Sequence, residues 1–290
     1  MAEQLRKLDI DVTLVQWHPH ILYQMDEDMI LPVQYELEQH GVHLKLATEV
    51  TGFQRGPGNN IHILETAGGE KLEADMVLLA AGVRPNTELT VGTGIKTGVT
   101  GAVKVDAYMR TTVPDIYAAG DVAESFSVIT GKAVYRPLGT TANKTGRIAG
   151  DAVTGGGLKH RGVLGTAIVR VFGITVAFTG LNEREAADHG YDCISKRDTY
   201  PDHAPYLGGE NMVVKIIADK KSGLVLGAQI TGRAGVDKRI DVLATAITYR
   251  ARVEDLFHLD LAYSPPYSIV KDPIQYVGMA MEKQIQGKNS

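Results

Sequence analysis

The chain has 290 residues, 44% hydrophobic and 22% charged, which allows about two or three compact domains and excludes a largely disordered protein. Its formal net charge of -4 offers no general attraction to nucleic acid or to an anionic membrane, and no apolar run is long enough to span a bilayer. Residues 1–7 do not resemble a signal peptide, so the cytoplasm is the expected location.

Residues 1–8 form a helix-favouring run with apolar side chains at Met1, Leu5 and Leu8, and residues 10–15 follow as an apolar strand. Together they have the pattern of the second half of a βαβ unit. His18 and His20 have no carboxylate or cysteine partner at metal-binding spacing and are expected as loop histidines, with no metal site. Residues 26–40 predict a helix ended by Gly41, with Pro32 forcing a late start or a kink. Alternation over residues 42–53 and 61–65, around turn signals at residues 56–59, predicts antiparallel strands.

Residues 76–80 are a continuous apolar run that predicts a strand, closed by a tight turn at Ala81 and Gly82. Residues 101–107 predict another. Residues 116–119 predict a third, buried and parallel, ending on Gly120 and Asp121. Gly120 lets backbone approach a ligand, and Asp121 stands at a strand's carboxyl end, where open α/β sheets bind cofactors. A plainer alternative has Asp121 capping the next helix. Residues 140–153 predict a helix, and Thr154 with Gly155, Gly156 and Gly157 predicts a linker.

From Gly162 the composition turns to β-branched runs at residues 165–172, 174–180, 212–219 and 225–231, with helices expected at 182–189, capped by Asn182, and at 236–250. This pattern suits an α+β unit with an antiparallel sheet. The single cysteine, Cys193, excludes any intrachain disulfide, and its setting favours a small buried hydrophobe over a reactive thiol. Pro265 and Pro266, flanked by Tyr263 and Tyr267, predict a stiff extended segment. Residues 255–260 predict a solvated face, and residues 283–290 a polar tail that frays.

The two strand-to-small-residue turns, at residues 71–87 and 112–124, resemble the paired signatures of the two-dinucleotide flavoprotein reductases. Residues 137–150 look like the helix beside the flavin in that family. Residues 262–273 look like the carboxyl-terminal segment of one branch, which holds the coenzyme A disulfide reductases, NADH oxidases, NADH peroxidases and persulfide reductases. The resemblance implies α/β remnants of two dinucleotide-binding domains followed by an α+β dimerisation domain with an antiparallel sheet. Residues 1–88 would be a partial NAD(P)-binding domain, 89–158 a partial FAD-binding domain, and 159–290 the dimerisation domain. The family's first flavin-binding loop, redox cysteine and nicotinamide Gly-rich loop find no match. The chain therefore looks like the carboxyl-terminal two-thirds of a longer enzyme, inactive by itself.

By the same resemblance Asp121, with Gly120, would receive the ribityl hydroxyls of FAD, and Leu138, Gly139 and Thr140 would approach the flavin ring. Gly82 would lie near the nicotinamide. Gln16 would stand where NAD enzymes place an acidic residue on the adenosine ribose; it offers only neutral hydrogen bonds, and no arginine follows it, so NADH and NADPH stay open. Tyr263 would reach across a homodimer into the partner's active site, with Tyr206 as a second active-site tyrosine. Lys271 and Asn143 would contact coenzyme A. The implied activity passes a hydride from NAD(P)H to FAD and then reduces a sulfur substrate. Two alternatives remain: an NADH oxidase or peroxidase, and a non-catalytic dimerisation module.

Overall fold

The computed structural model describes residues 1–56 and 61–287, and the chain divides into two units, residues 1–80 with 167–290 and residues 81–166. In the first unit, α1 (Ala2–Arg6) leads into β1 (Val12–Val15). Helix α2 (Glu27–Gln39) follows, and β2 (Val42–Lys45) then pairs with β1 in parallel. Met29, Ile30, Val33 and Leu37 recur at helical spacing on α2 and pack with Val12, Met25, Val42 and Val176 in one core. Pro32 neither delays this helix nor ends it. Its missing N–H leaves the Asp28 carbonyl without the usual donor four residues on, and Arg197 Nε donates to that oxygen at 3.2 Å. Gly41, at φ 74°, ends the helix.

Strands β3 (Val50–Arg55), β4 (Ile61–Thr66) and β5 (Lys71–Glu73) form an antiparallel meander; the turn expected at residues 56–59 lies, after Gly56, outside the described residues. Three expected strands do not form. Residues 76–80 run without a backbone partner among the described residues, leaving Met76, Leu78 and Leu79 exposed. In residues 101–107 only Val103 makes bridges, to Thr97 and Ala123, and in 116–119 only Tyr117 does, to Arg110. An apolar run becomes a strand only when a neighbouring backbone takes up its N–H and C=O groups along its length; among the described residues the first run finds no such partner and the other two find only isolated bonds.

The second unit contains the short hairpin β6 (Ser125–Phe126) and β7 (Ala133–Val134), then α3 (Gly139–Val153). Thr141, Thr145, Ile148 and Ala152 form the buried stripe of α3. The glycines after it do not act as a free linker. Gly155 and Gly156 donate back to Ala152 and Asp151 carbonyls, and the Asp151 carboxylate accepts from Leu158 N at 2.8 Å.

Returning to the first unit, β8 (Ala167–Val171), β9 (Ile174–Gly180), β10 (Cys193–Pro201), β11 (Asn211–Asp219) and β12 (Val225–Gly232) form an antiparallel sheet in the order β10-β11-β12-β9-β8. Helix α4 (Glu183–Asp188) lies between β9 and β10 in sequence and starts on a capping box of Asn182 and Glu185. Helices α5 (Val236–Thr248) and α6 (Pro273–Ile285) complete the unit. Strand β12 is buried along its whole length because α5 and α2 both pack on it; Gln229 and Thr231 bond Asp26 and the Met29 carbonyl of α2. Among the described residues no helix is long and apolar enough to cross a membrane.

Lys215 of β11, 3% exposed, ties α2 and α4 to this sheet. Its Nζ lies 3.1 Å from Asp26, 2.9 Å from Asp28 and 3.0 Å from Glu183. Burial pulls the ammonium down, but the bond to Asp28, the Asp26 charge and Glu183 outweigh it and leave its pKa raised. A raised folded-state value means that Lys215 contributes stability fully below its ordinary value of 10.5 and loses it as pH rises through the folded value. In urea titrations over a pH series, the stability gap between the protein and Lys215→Met is expected to hold through neutral pH and to narrow above pH 10.5. A gap that narrows instead between pH 6 and 8 would contradict the assignment.

Candidate functional site

Two groups of the expected site residues assemble, one in each unit. In residues 81–166 the chain bends at Gly120, φ 73°, whose N–H donates to Thr145 Oγ1 at 3.0 Å, and Thr145 in turn donates to the Thr141 carbonyl at 2.8 Å. A Cβ on Gly120 would meet Ala142 at ordinary contact distance, so the glycine is needed for its backbone conformation. These bonds hold the turn against the first half of α3. Asp121 follows in a single 3-10 turn and caps no helix. Its carboxylate is exposed and has no hydrogen-bond partner among the described residues. Its charge, together with burial of the ring, raises the pKa of Tyr135.

Leu138 is the N-cap residue of α3 but supplies no side-chain cap, and the backbone N–H groups of Gly139 and Thr140 have no acceptor among the described residues. This end of a 15-residue helix therefore presents free donors and the positive pole of the helix dipole. No atom lies within 4 Å of the place where a Gly139 side chain would project. Gly139, Thr140 and Asn143 are all exposed and fall at i, i+1 and i+4 on the side of the helix opposite the buried stripe. An anionic or electron-rich planar group fits such a helix end, and an adjacent carboxylate that accepts hydroxyl protons fits a polyol chain. Gly82, φ 87°, is exposed with open space around it and makes no contact with this group.

In the other unit, Gln16 ends β1. Its backbone bonds Lys45 and Thr48, and its side-chain Oε1 accepts from His18 N at 3.2 Å. Tyr206 and Tyr263, 78% and 49% exposed, sit on two segments brought together by backbone and side-chain bonds. Ala204 N donates to the Pro265 carbonyl at 3.1 Å, and Lys238 Nζ to the Tyr267 carbonyl at 2.9 Å. The proline pair does not produce the extended segment expected from it. Tyr267 N donates to the Ser264 carbonyl at 2.8 Å, closing a turn, since proline fixes φ and leaves ψ free. Neither tyrosine hydroxyl has a hydrogen-bond partner among the described residues. Lys271 places its ammonium 4.8 Å from the centre of the Tyr276 ring.

Arg239 is the residue that sequence patterning missed. It is 1% exposed on α5, and its guanidinium bonds both Asp272 oxygens at 3.0 Å, Ser268 Oγ at 3.1 Å and the Asp202 carbonyl at 2.9 Å. One side chain thus fixes the start of the Tyr206 loop and the end of the Tyr263 segment, next to Lys271. A signal was present: Val236, Arg239, Ile240 and Leu243 share the buried stripe of α5, so the arginine occupies an apolar position. Cys193 contributes nothing to this chemistry. It is half-buried, and burial with the Glu183 charge pushes its thiol pKa up, away from the thiolate.

Comparisons with known proteins agree along the chain. Residues 1–146 match the model of the pyridine nucleotide-disulphide oxidoreductases, and residues 166–273 match the dimerisation domain of the same proteins. The NAD(P)H sulfur oxidoreductase (CoA-dependent) of Pyrococcus furiosus is 37% identical over 94% of this chain and 61% of its own length. The NADH oxidase of Methanocaldococcus jannaschii is 32% identical over 99% of this chain and 64% of its own length. Among solved structures, the NAD-dependent persulfide reductase from A. fulgidus superposes with a TM-score of 0.95 at 38% identity, covering 99% of this chain and 53% of that one. The chain thus spans less than two thirds of the length of each of these three proteins.

Proposed function

The chain belongs to the pyridine nucleotide-disulphide oxidoreductase family, and from that premise we propose that the protein is a flavin-dependent NAD(P)H oxidoreductase of the coenzyme A disulfide and persulfide reductase type. The observation that carries this proposal is the likeness, along nearly the whole chain, to a coenzyme A-dependent sulfur oxidoreductase. FAD, when bound, supplies a two-electron carrier between nicotinamide and sulfur acceptor.

For this chemistry the chain offers specific groups. Asp121, with Gly120, accepts from the ribityl hydroxyls. The free N–H groups of Gly139 and Thr140, behind Leu138, face the ring, where helix-end donors stabilise negative charge. Gly82 leaves room beside the nicotinamide, and Gln16 hydrogen-bonds the adenosine ribose. In a homodimer, Tyr263 and Tyr206 of one protomer complete the site of the other. Lys271 holds a coenzyme A phosphate as a point charge and Asn143 contacts the same substrate. Residues 1–88, 89–158 and 159–290 serve as nicotinamide, flavin and dimerisation portions, and the cytoplasm is the proposed location.

The test is a turnover comparison with an intact, FAD-loaded enzyme that contains this chain, using NADH and NADPH against coenzyme A disulfide, coenzyme A persulfide, oxygen and peroxide. Sulfur substrates are expected to give the highest kcat/KM. Faster turnover with oxygen or peroxide would overturn the proposal in favour of an NADH oxidase, the reading favoured by the relative from Methanocaldococcus jannaschii.

A further inference from the structure

Gln16 leaves the end of β1 without a carboxylate, and its own Oε1 is already engaged by His18 N. The residues beyond it form an aromatic cluster in which Trp17 tilts against His18. The Trp17 ring centre lies 4.3 Å from that of His18, which stacks on Tyr23 at 3.5 Å with 6° between planes, and the Arg184 guanidinium covers Tyr23 at 3.9 Å. Arg184 comes from α4, far along the chain, so no local motif after β1 reveals it.

Most carboxylates near this arginine are committed elsewhere, and Asp188, one turn on along α4, makes no ion pair with it among the described residues. Glu183 and Asp28 bond Lys215, Asp26 bonds Lys215 and Gln229, and Glu185 accepts from the Asn182 backbone. Arg184 is exposed and has no carboxylate partner among the described residues. A guanidinium stacked by one face on an aromatic ring keeps its N–H edges free, and those edges match a phosphate in bidentate fashion. A carboxylate at the β1 end would pair ribose hydroxyls and repel a phosphate there; a glutamine offers the hydroxyls only neutral hydrogen bonds and does not repel a phosphate.

We propose that Arg184, held on the Tyr23 ring that stacks on His18 just beyond Gln16, makes the nucleotide site at the end of β1 prefer a 2′-phosphorylated adenosine, so that NADPH is the favoured reductant. The inference rests on the assignment of this strand end to the nicotinamide cofactor. It adds a specificity residue from outside the segment that would ordinarily be searched for one.

Trp17, the only tryptophan in the chain and 68% exposed, provides the readout. Its fluorescence would be titrated with 2′,5′-ADP and with 5′-ADP, in the protein and in Arg184→Glu, with calorimetry in parallel. The variant places an added acid in the first turn of a helix, where it is tolerated. The 2′-phosphorylated probe is expected to bind about tenfold tighter than 5′-ADP, with Arg184→Glu abolishing that preference. Equal binding of both probes, or a preference that survives in the variant, overturns the role of Arg184 alone. Binding of neither probe overturns the nucleotide assignment itself, and this inference with it.

Discussion

Replacing Arg239 by methionine is expected to lower the unfolding free energy by about 3–5 kcal/mol, measured by urea titration. Methionine fills a similar volume, so the loss comes from charge and hydrogen bonding more than from packing. The Asp272 carboxylate, 4% exposed, would keep its bonds from Ser268 Oγ and Ile274 N but lose the only guanidinium that neutralises it among the described residues. A buried carboxylate without its counter-charge is far costlier than the intact pair is stabilising. The Asp202 carbonyl and Ser268 would lose donors in the same step. The double variant Arg239→Met with Asp272→Asn is expected to recover part of the loss, because a neutral amide removes the uncompensated charge while retaining an acceptor for the cap of α6. A cost below about 1 kcal/mol for Arg239→Met would place this pair with ordinary surface ion pairs and refute the account.

The same substitution carries a structural consequence. Amide exchange is expected to accelerate in residues 203–208 and 263–271 together, since one side chain anchors both segments, while β9 and β12 stay protected. Arg239→Lys is expected to loosen them too, because an ammonium supplies a point charge and cannot reach carboxylate, hydroxyl and carbonyl from one planar fork.

Removing the Tyr263 hydroxyl is expected to have the largest effect on turnover. In an intact enzyme that contains this chain, Tyr263→Phe should lower kcat with coenzyme A disulfide by about a hundredfold, the lower range for loss of a positioned proton donor. The hydroxyl has no competing partner among the described residues, and its segment is clamped through Pro265, Tyr267 and Ser268. Reduction of bound flavin by NAD(P)H, followed by bleaching of its visible absorbance in the absence of sulfur substrate, should keep its rate. A variant slowed equally in both half-reactions would show that the tyrosine supports the flavin site instead, and unchanged turnover would remove it from the chemistry. Tyr206→Phe, on the more exposed loop, is expected to act in the same half-reaction with a smaller loss.

How far such expectations could be read before any coordinates differs along the chain. The β-branched runs that became β9, β11 and β12, the Asn182 cap of α4 and the stripe of α3 were legible because each depends on a period or a local hydrogen bond. The turn at Gly120 was legible for a similar reason, since a small residue after an apolar run marks a close-approach bend, but the strand expected to lead into Asp121 was not. The runs at 76–80 and 116–119 looked as strand-like as any, yet strand formation needs a partner from another part of the fold, which no local pattern can supply.

What the amino-acid sequence alone determined is much of the order of elements, the turns and caps between them, and the motifs whose resemblance set this chain among dinucleotide-dependent oxidoreductases. Tertiary structure alone decided which charges are buried and what they hold. Lys215 draws in acids from α2 and α4, Arg239 binds two loops to α5, and Arg184 reaches Tyr23. Periodicity reports which face of an element meets the core. The identity of the group opposite a buried charge depends on segments distant in sequence packing at one place, so it appears only once the chain is folded.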